Sequence, residues 1–593
     1  MKRISCNIII VILMLTAVSC SDYLDKEYDA SLSEEKVFKD ETLTRGFLAN
    51  IYTNLPDGLA PLSDDQFTGA SRDCMTDNAV TYWGLHYYTK IGADGYTAAD
   101  HPLLGFWNVN TSGIRKCNQF LKNAKESVVG NSEKSGDDNK LYDRYRAEAK
   151  LLRAIFHFDM IGWFGAIPII AEDESGVPIV FDLSDPGAMN MPRTPAADAL
   201  DWVAAQCDEV KDLLPFRYSN ENSNWGRVNG ATAYALKARA LLYRASALNN
   251  PSSDKTQWAR AAQAAKDFIA KNAQQSLPYR LYSTGDVNND YYTCFTYNPV
   301  NNNEIILSRS VWNTNQVEKV FLPVGFTGSF SGAGRTNPTQ NFVDSYEMKN
   351  GKRIDETGSG YDPVNPYKDR DPRLSQTVFY QGMIWGRDDQ GEQRGIDVRF
   401  NSEADMGIDY KSAMGGTLTG YFLKKFVNNI SCKAPATFPH SWTIFRYAEI
   451  LLNAAEAVNE SEGPDSACEY VNAVRARTGM PAYSGMTQDE LRTRIRNERR
   501  VELSFEDHRF IDARRWKIFE GVTAGNEAAK PHYNQVLNLY GVKVTATASA
   551  PVYTYGPAET VNLRIFNSPK NYYFPLPANE VKRAPKLEQN PGW

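Results

Sequence analysis

The sequence predicts a mostly α-helical protein, a scaffold of helix hairpins carrying large loop-rich insertions and a few short strands. Three observations lead there. Apolar residues recur at helical spacing early and late in the chain. Several of these segments carry stripes of Ala, which let helix axes approach closely. Between them, and above all in the middle of the chain, Gly, Pro, Asn and Tyr replace any period. The 593 residues are 42% hydrophobic and 23% charged, which suits a folded chain of several domain lengths and excludes general disorder. A net charge of −6 argues against a general nucleic-acid binder.

The elements follow in order. Lys2 and Arg3 precede an apolar run, Ile8–Leu15, too short to span a bilayer, and small residues lead from it to Cys20. Residues 1–19 therefore read as a signal peptide. The position of Cys20 resembles the bacterial lipobox, so cleavage before Cys20 and acylation of its thiol and new amine are expected. More than one acyl chain gives stable anchoring. Losing Lys2 and Arg3 leaves a mature charge of −8.

Leu43, Phe47, Leu48, Ile51 and Tyr52 fall at helical spacing; residues 56–105 have no period and read as decorated loop. Helices are expected at Trp107–Lys125 and Tyr142–Phe164, the second with a broad apolar face. Thr194 and Pro195 open another, to Leu214. Asn229–Leu248 buries Ala231, Ala235, Ala238 and Ala245, and Trp258–Lys271 is again Ala-rich. The central region holds only short β-like pieces, Glu304–Ser308 and Gln376–Tyr380. Helices return at Thr443–Val458, Ser466–Thr478 and Asp489–Phe505, and residues 520–570 are loop-rich with a Thr/Val piece at Val542–Ala548. The pairs fit an imperfect solenoid of tetratricopeptide type. The organisation expected is a signal peptide (1–19), a helical region (20–275), a loop-rich insertion on the ligand side (276–441) and a second helical region (442–593).

Catalytic patterns are sparse. Glu498, Glu502 and Glu506 recur every four residues on one helix face. A carboxylate pair can serve as acid and base in glycosidases. Here Arg494, Arg499, Arg500, Arg509, Arg514 and Arg515 interleave with them, which lowers carboxylate pKa values where a general acid needs a raised one. An ion-pair network between helices is the expectation. The six histidines form no HExxH or HxH pattern, so no metal site follows. Gly325–Gly334 lacks the Lys-Ser/Thr of a phosphate loop, and GxSxG is absent. The six remaining cysteines include no CxxC and read as free thiols or one incidental bridge.

Aromatic clusters in the loops are the candidate ligand platform: Tyr82, Trp83 and Tyr88 in the first loop region, Tyr292, Trp312 and Trp385 in the central one. Sugars offer an apolar CH face that stacks on flat rings, while Asn, Asp and Arg bond the hydroxyls. The competing reading of each ring is a buried loop anchor.

The chain resembles the SusD/RagB family of Bacteroidetes outer-membrane lipoproteins along nearly its whole length. Cys20, Tyr23, Leu24 and Asp25 resemble the family's start. Trp107–Leu121 and Arg146–Phe164, with Ile167 and Pro168, are similar to family helices and the turn after them. So are Pro338–Phe342, Tyr346–Met348 with Gly351–Arg353, Asp371–Leu374, Arg446–Leu452 with Ala455–Ala457, Asn472–Arg477 and Ile495–Leu503 with Arg514–Trp516. Phe574–Pro577, Glu580 and Gln589–Gly592 close the match; the last residue is Trp593 where the family more often has Tyr or Phe. The resemblance implies a SusD-like fold with tetratricopeptide-like units. It implies a lipid-anchored protein of the outer-membrane cell surface that captures an oligosaccharide and delivers it to a TonB-dependent SusC-like transporter. It implies no catalysis; no cofactor and no nucleic-acid partner are expected. The matching motifs are scaffold and anchor motifs, so no ligand residue carries over. An anchored glycoside hydrolase is the alternative, and a transporter cap that captures peptides or other nutrients is a third.

Overall fold

The computed structural model describes residues 33–593, apart from 60–68, 83–86, 131–139, 182–189, 297–299, 301, 310–311, 328–331, 389, 414, 430–436 and 561. Cys20 and Trp83 lie outside the described residues, as does Cys432. The chain is mostly helical, with strands only in short two-stranded pairs.

Helix α1 (Glu41–Ile51) starts where the Asp40 side chain accepts from the Leu43 N–H, and it buries Thr44, Leu48 and Ile51. It packs beside α2 (Leu104–Asn123) and α3 (Leu141–Phe164), which form the first long pair. A Cβ on Gly113 of α2 would fall 2.6 Å from the Phe156 ring of α3, so only glycine permits this close approach. Helix α3 stops at Gly165, whose φ of +71° is a left-handed conformation. The chain returns as α4 (Ala196–Val210), which packs on α3 and on α5 (Gly230–Ala245). A reciprocal capping box of Asn229 and Thr232 opens α5. Ala231, Ala235, Ala238 and Ala245 are all buried, which lets α5 lie against both α4 and α6 (Lys255–Ala273).

The central region contributes strands β1 (Ile305–Ser308) and β2 (Trp312–Thr314). They pair antiparallel with strands that re-enter just before the second helical region. β2 pairs with β3 (Phe438–His440), and β1 with β4 (Thr443–Arg446), with Ile305 opposite Arg446 and Ser308 opposite Thr443. The helix expected over Thr443–Val458 therefore begins only at Tyr447. Thr443, Ile444 and Phe445 are β-branched or aromatic, and their ladder to β1 overrides the helical phase that continues upstream. Helix α7 (Tyr447–Ser461) packs on α6, which joins the two helical regions, and forms a hairpin with α8 (Pro464–Arg477). Helix α9 (Gln488–Glu502) is opened by a capping box of Thr487 and Glu490, and α10 (His508–Arg515) follows. Beyond it, β5 (Tyr540–Thr547) and β6 (Ala550–Pro557) make a full hairpin where the sequence showed only its first arm.

One hydrophobic core runs from Phe38 to Leu587 through all three regions. The segment 72–79 is held from the far end of the chain. Asp77 meets both Arg500 and Arg509 at 2.8 Å, and Asp73 accepts from the Phe505 N–H at 3.0 Å. Arg564 donates to the carbonyls of Cys74, Thr76 and Ala79. Among the described residues no helix is long and apolar enough to cross a membrane.

Candidate functional site

The charged repeat of α9 forms the expected network. Glu502 is fully buried and receives Arg446 at 2.7 Å, Arg373 at 3.0 Å and the Arg477 guanidinium. Glu506 receives Arg446 at 2.7 Å and the Lys425 ammonium at 2.6 Å. Glu498 meets Arg475 at 3.1 Å and also pairs with Arg373. Burial alone would raise the Glu502 and Glu506 pKa values, but the surrounding guanidiniums overcome it and hold both below the ordinary range. Glu502 and Glu506 stay ionised and paired, and neither is suited to donate a proton as a general acid.

A cleft of about 250 Å³ opens elsewhere, between the end of α1, the N-terminal half of α2 and the C-terminal half of α3. Its apolar wall comes from Leu55, Pro56, Leu103, Phe106 and Val109. Its polar edge comes from Asn54, Asp57, Arg72, Asn110, Asp159 and Arg309. Each is held in place. Arg309 donates to the carbonyls of Thr53 and Leu55 at 2.9 Å each and lies 3.4 Å from Asp57. Arg72 stacks over the Phe106 ring at 4.8 Å and pairs with Asp507. Asn110 donates to Asp159 at 2.7 Å, and Trp163 Nε1 donates to the same carboxylate at 3.2 Å. The Asn110 carbonyl oxygen is buried and accepts no hydrogen bond from the described residues.

A smaller chamber of about 90 Å³ adjoins the cleft, sharing Pro56, Arg72, Asp159 and Trp163 and reaching Asp507 and Trp442. Burial raises the pKa of Asp159, of the neighbouring Asp73 and of Asp507, the last to about 6, outweighing the Arg72 guanidinium near Asp159 and Asp507 and the hydrogen bonds of Asn78 and Phe505 to Asp73. The cleft offers an apolar floor, two guanidiniums and amide and carboxylate edges, a mixture that suits a polyhydroxylated ligand with an apolar face. No group of three or more His, Cys, Asp or Glu among the described residues is placed to hold a metal ion.

The five aromatic candidates among the described residues sit in different segments. Tyr88 is fully buried behind Arg72, and Trp385 is 7% exposed, with Phe379 at 4.9 Å and Phe326 at 5.9 Å against its ring. As placed, both are loop anchors that offer no ring face to a ligand, because packing occupies their surfaces. Tyr292 is half-buried; its hydroxyl donates to the Val427 carbonyl at 2.6 Å and the Lys424 ammonium lies 5.2 Å from its ring. Tyr82 is half-buried beside Gly416, where Gly415 abuts Ala333. The Ala333 N–H bonds the Lys319 carbonyl in the short helix that follows β2. Trp312 lies in β2 with its backbone paired to His440, three residues beyond Arg309 of the cleft. Phe106, Arg72, Asn110, Asp159 and Arg309 carry no sequence signal for this role, since four separate segments bring them together.

Comparison with known proteins gives consistent matches. The family model described as the SusD family matches residues 270–593, and the model described as "Starch-binding associating with outer membrane" matches residues 22–242. A SusD-like protein of Formosa agariphila is 24% identical over 99% of both chains. Among solved structures, a SusD-like protein from Bacteroides fragilis aligns with a TM-score of 0.73 at 24% identity, covering 95% of this chain and 99% of its own. A SusD-like carbohydrate binding protein from the same species aligns with a TM-score of 0.68 at 24% identity, covering 93% and 100%.

Proposed function

The chain belongs to the SusD/RagB family, and from that premise we propose that it is a non-catalytic oligosaccharide receptor of the outer-membrane cell surface. It captures a glycan in the cleft beside α2 and hands it to a TonB-dependent SusC-like transporter. The observation that carries this reading is the cleft itself, with Phe106 and Val109 on an apolar floor and Arg72, Asn110 and Arg309 at its edge. The names of the matching family and relatives, which speak of starch and carbohydrate binding, support the ligand class. The engaged state of Glu498, Glu502 and Glu506 supports binding without catalysis. Trp83, Trp312 and Tyr82 are proposed as the rim platform, and Cys20 as the acylated anchor.

The test is calorimetry of the mature chain against a glycan panel, with melting temperatures in parallel. Phe106→Ala, Trp83→Ala and Trp312→Ala are compared with Trp385→Ala. Loss of a stacking ring is expected to weaken binding by ~1–3 kcal/mol, by analogy with base stacking on aromatic side chains, with little change in melting. Trp385→Ala is expected to lower the melting temperature instead. If the first three leave affinity untouched, the cleft and its rim are not the site. Separately, Cys20→Ala is expected to leave the membrane fraction; unchanged partitioning would remove the anchor from this account.

A further inference from the structure

A second cavity, of about 190 Å³, lies between α9, α10 and the segment 530–536 and shares no lining residue with the cleft. Its wall carries Arg353, Arg496, Arg500, Arg509 and Lys530, and no carboxylate is among its lining residues. In a chain of net charge −6 this is a concentration of one sign that repulsion disfavours. The balance around it is incomplete. Arg500 and Arg509 share the single carboxylate of Asp77. Arg496 and Lys530 make no ion pair with the described residues, and the Nε groups of Arg353 and Arg496 are buried without an acceptor among them.

Other buried guanidiniums of the core have carboxylate or backbone-carbonyl partners, although Arg153, Arg370 and Arg477 also keep an Nε without an acceptor among the described residues. Arg446 meets three carboxylates, while Arg514 and Arg564, which meet none, donate to backbone carbonyls. The carboxylates nearest Arg496 are already engaged: Glu456 by Arg515 and Trp516, Glu460 by Arg492. The Asp355 carboxylate accepts from the Tyr533 hydroxyl. Two of the cations are fixed by aromatic rings, Arg496 at 4.9 Å from the Trp516 ring and Arg353 at 5.3 Å from the Tyr533 ring. Burial, with the Arg509 charge adding to it, lowers the Arg500 guanidinium to about 10, the direction expected where cations outnumber anions.

A set of preplaced guanidinium N–H donors with surplus positive charge matches a planar or tetrahedral oxyanion. We propose that this cavity binds the carboxylate or sulfate group of an acidic sugar, so that the glycan this protein captures is anionic. The inference rests on the glycan-binding reading above and adds a ligand class and a second contact point to it.

The test uses the mature chain and a variant carrying Arg496→Gln and Lys530→Gln, two positions without ion pairs to the described residues. Inorganic sulfate, glucuronate and glucose are titrated at ionic strength matched with sodium chloride, with binding read by calorimetry and by melting temperature. Sulfate and glucuronate are expected to bind and compete with each other, glucose not to compete, and the variant to lose roughly tenfold or more in affinity for both anions. Should the double variant fold poorly, Lys530→Gln alone, at an exposed side chain, is expected to show a smaller loss of the same sign. Binding of sulfate without glucuronate overturns the acidic-sugar assignment, as does anion binding that the variants leave unchanged. Neutral oligosaccharides that bind through the cleft while glucuronate does not would overturn this inference and leave the receptor reading standing. Glucuronate binding here with no oligosaccharide bound at the cleft would do the reverse.

Discussion

At the scale of single residues, Glu502 shows how charge and burial decide each other. It is fully buried, yet three guanidiniums reach its two oxygens, so the ionised form wins over desolvation. Replacing one member leaves the others without compensation in a dry interior. Glu502→Gln is therefore expected to destabilise by about 3–5 kcal/mol, the usual cost of breaking a buried ion pair from one side. Urea unfolding checks this; a change under about 1 kcal/mol would mean the network contributes little, as exposed pairs do. The network was legible in the interleaving of Glu and Arg along 494–515. Its distant partners, Arg373, Lys425 and Arg446, were not, because nothing in the spacing of one helix tells which loop will cross it. The same limit applies to the aromatic candidates: Trp385 and a ring exposed to ligand look alike in sequence, and only the neighbours Phe326 and Phe379 tell them apart.

At the scale of elements, helices carrying a small-residue stripe were the most legible. Asn229–Leu248 was expected to bury its alanines, and Ala238 is 1% exposed between close neighbours. Ala238→Leu is expected to overpack this contact and cost ~1–3 kcal/mol. A melting temperature equal to that of the parent would show that α5 can move away from its neighbours. Elements that depend on a remote partner were read less well. Thr443–Arg446 continues the helical spacing of α7 and becomes a strand only because Ile305–Ser308 lies beside it. The arm Ala550–Pro557 reads as loop because proline stands at Pro551 and Pro557, although the hairpin tolerates both near its ends. The cleft was the least legible feature: Asn54, Asn110, Asp159 and Arg309 sit on four elements with no common local pattern.

At the scale of the whole molecule, the buried charges set the response to pH. Glu449, Glu456, Glu506 and Asp77 have pKa values below their ordinary ones. Their stabilisation is complete above the unfolded values, 4.5 for Glu and 3.8 for Asp, and is lost as pH falls below them. Asp507 acts oppositely. Its folded pKa of about 6 lies above 3.8, so its contribution is full below 3.8 and is lost as pH rises towards 6. The melting temperature is expected to fall steeply as pH drops below about 4.5. The stability advantage of the parent over Asp507→Asn is expected to shrink as pH rises from about 4 to 6, while the acid limb stays in place. A melting temperature that rises steadily into acid would contradict the assignment of the paired carboxylates, and a parent–variant difference that does not change with pH would contradict that of Asp507. A last consequence follows from the tie between Asp77 and Arg509, which are 432 residues apart. Because the ion-pair partners of Arg72 and Asp77 come from residues 500–509, a copy truncated or still emerging before that point lacks the counter-charges that close its front half. Such copies are expected to be cleaved sooner by an added protease than the chain that carries these residues, since their early segment has nothing to close against.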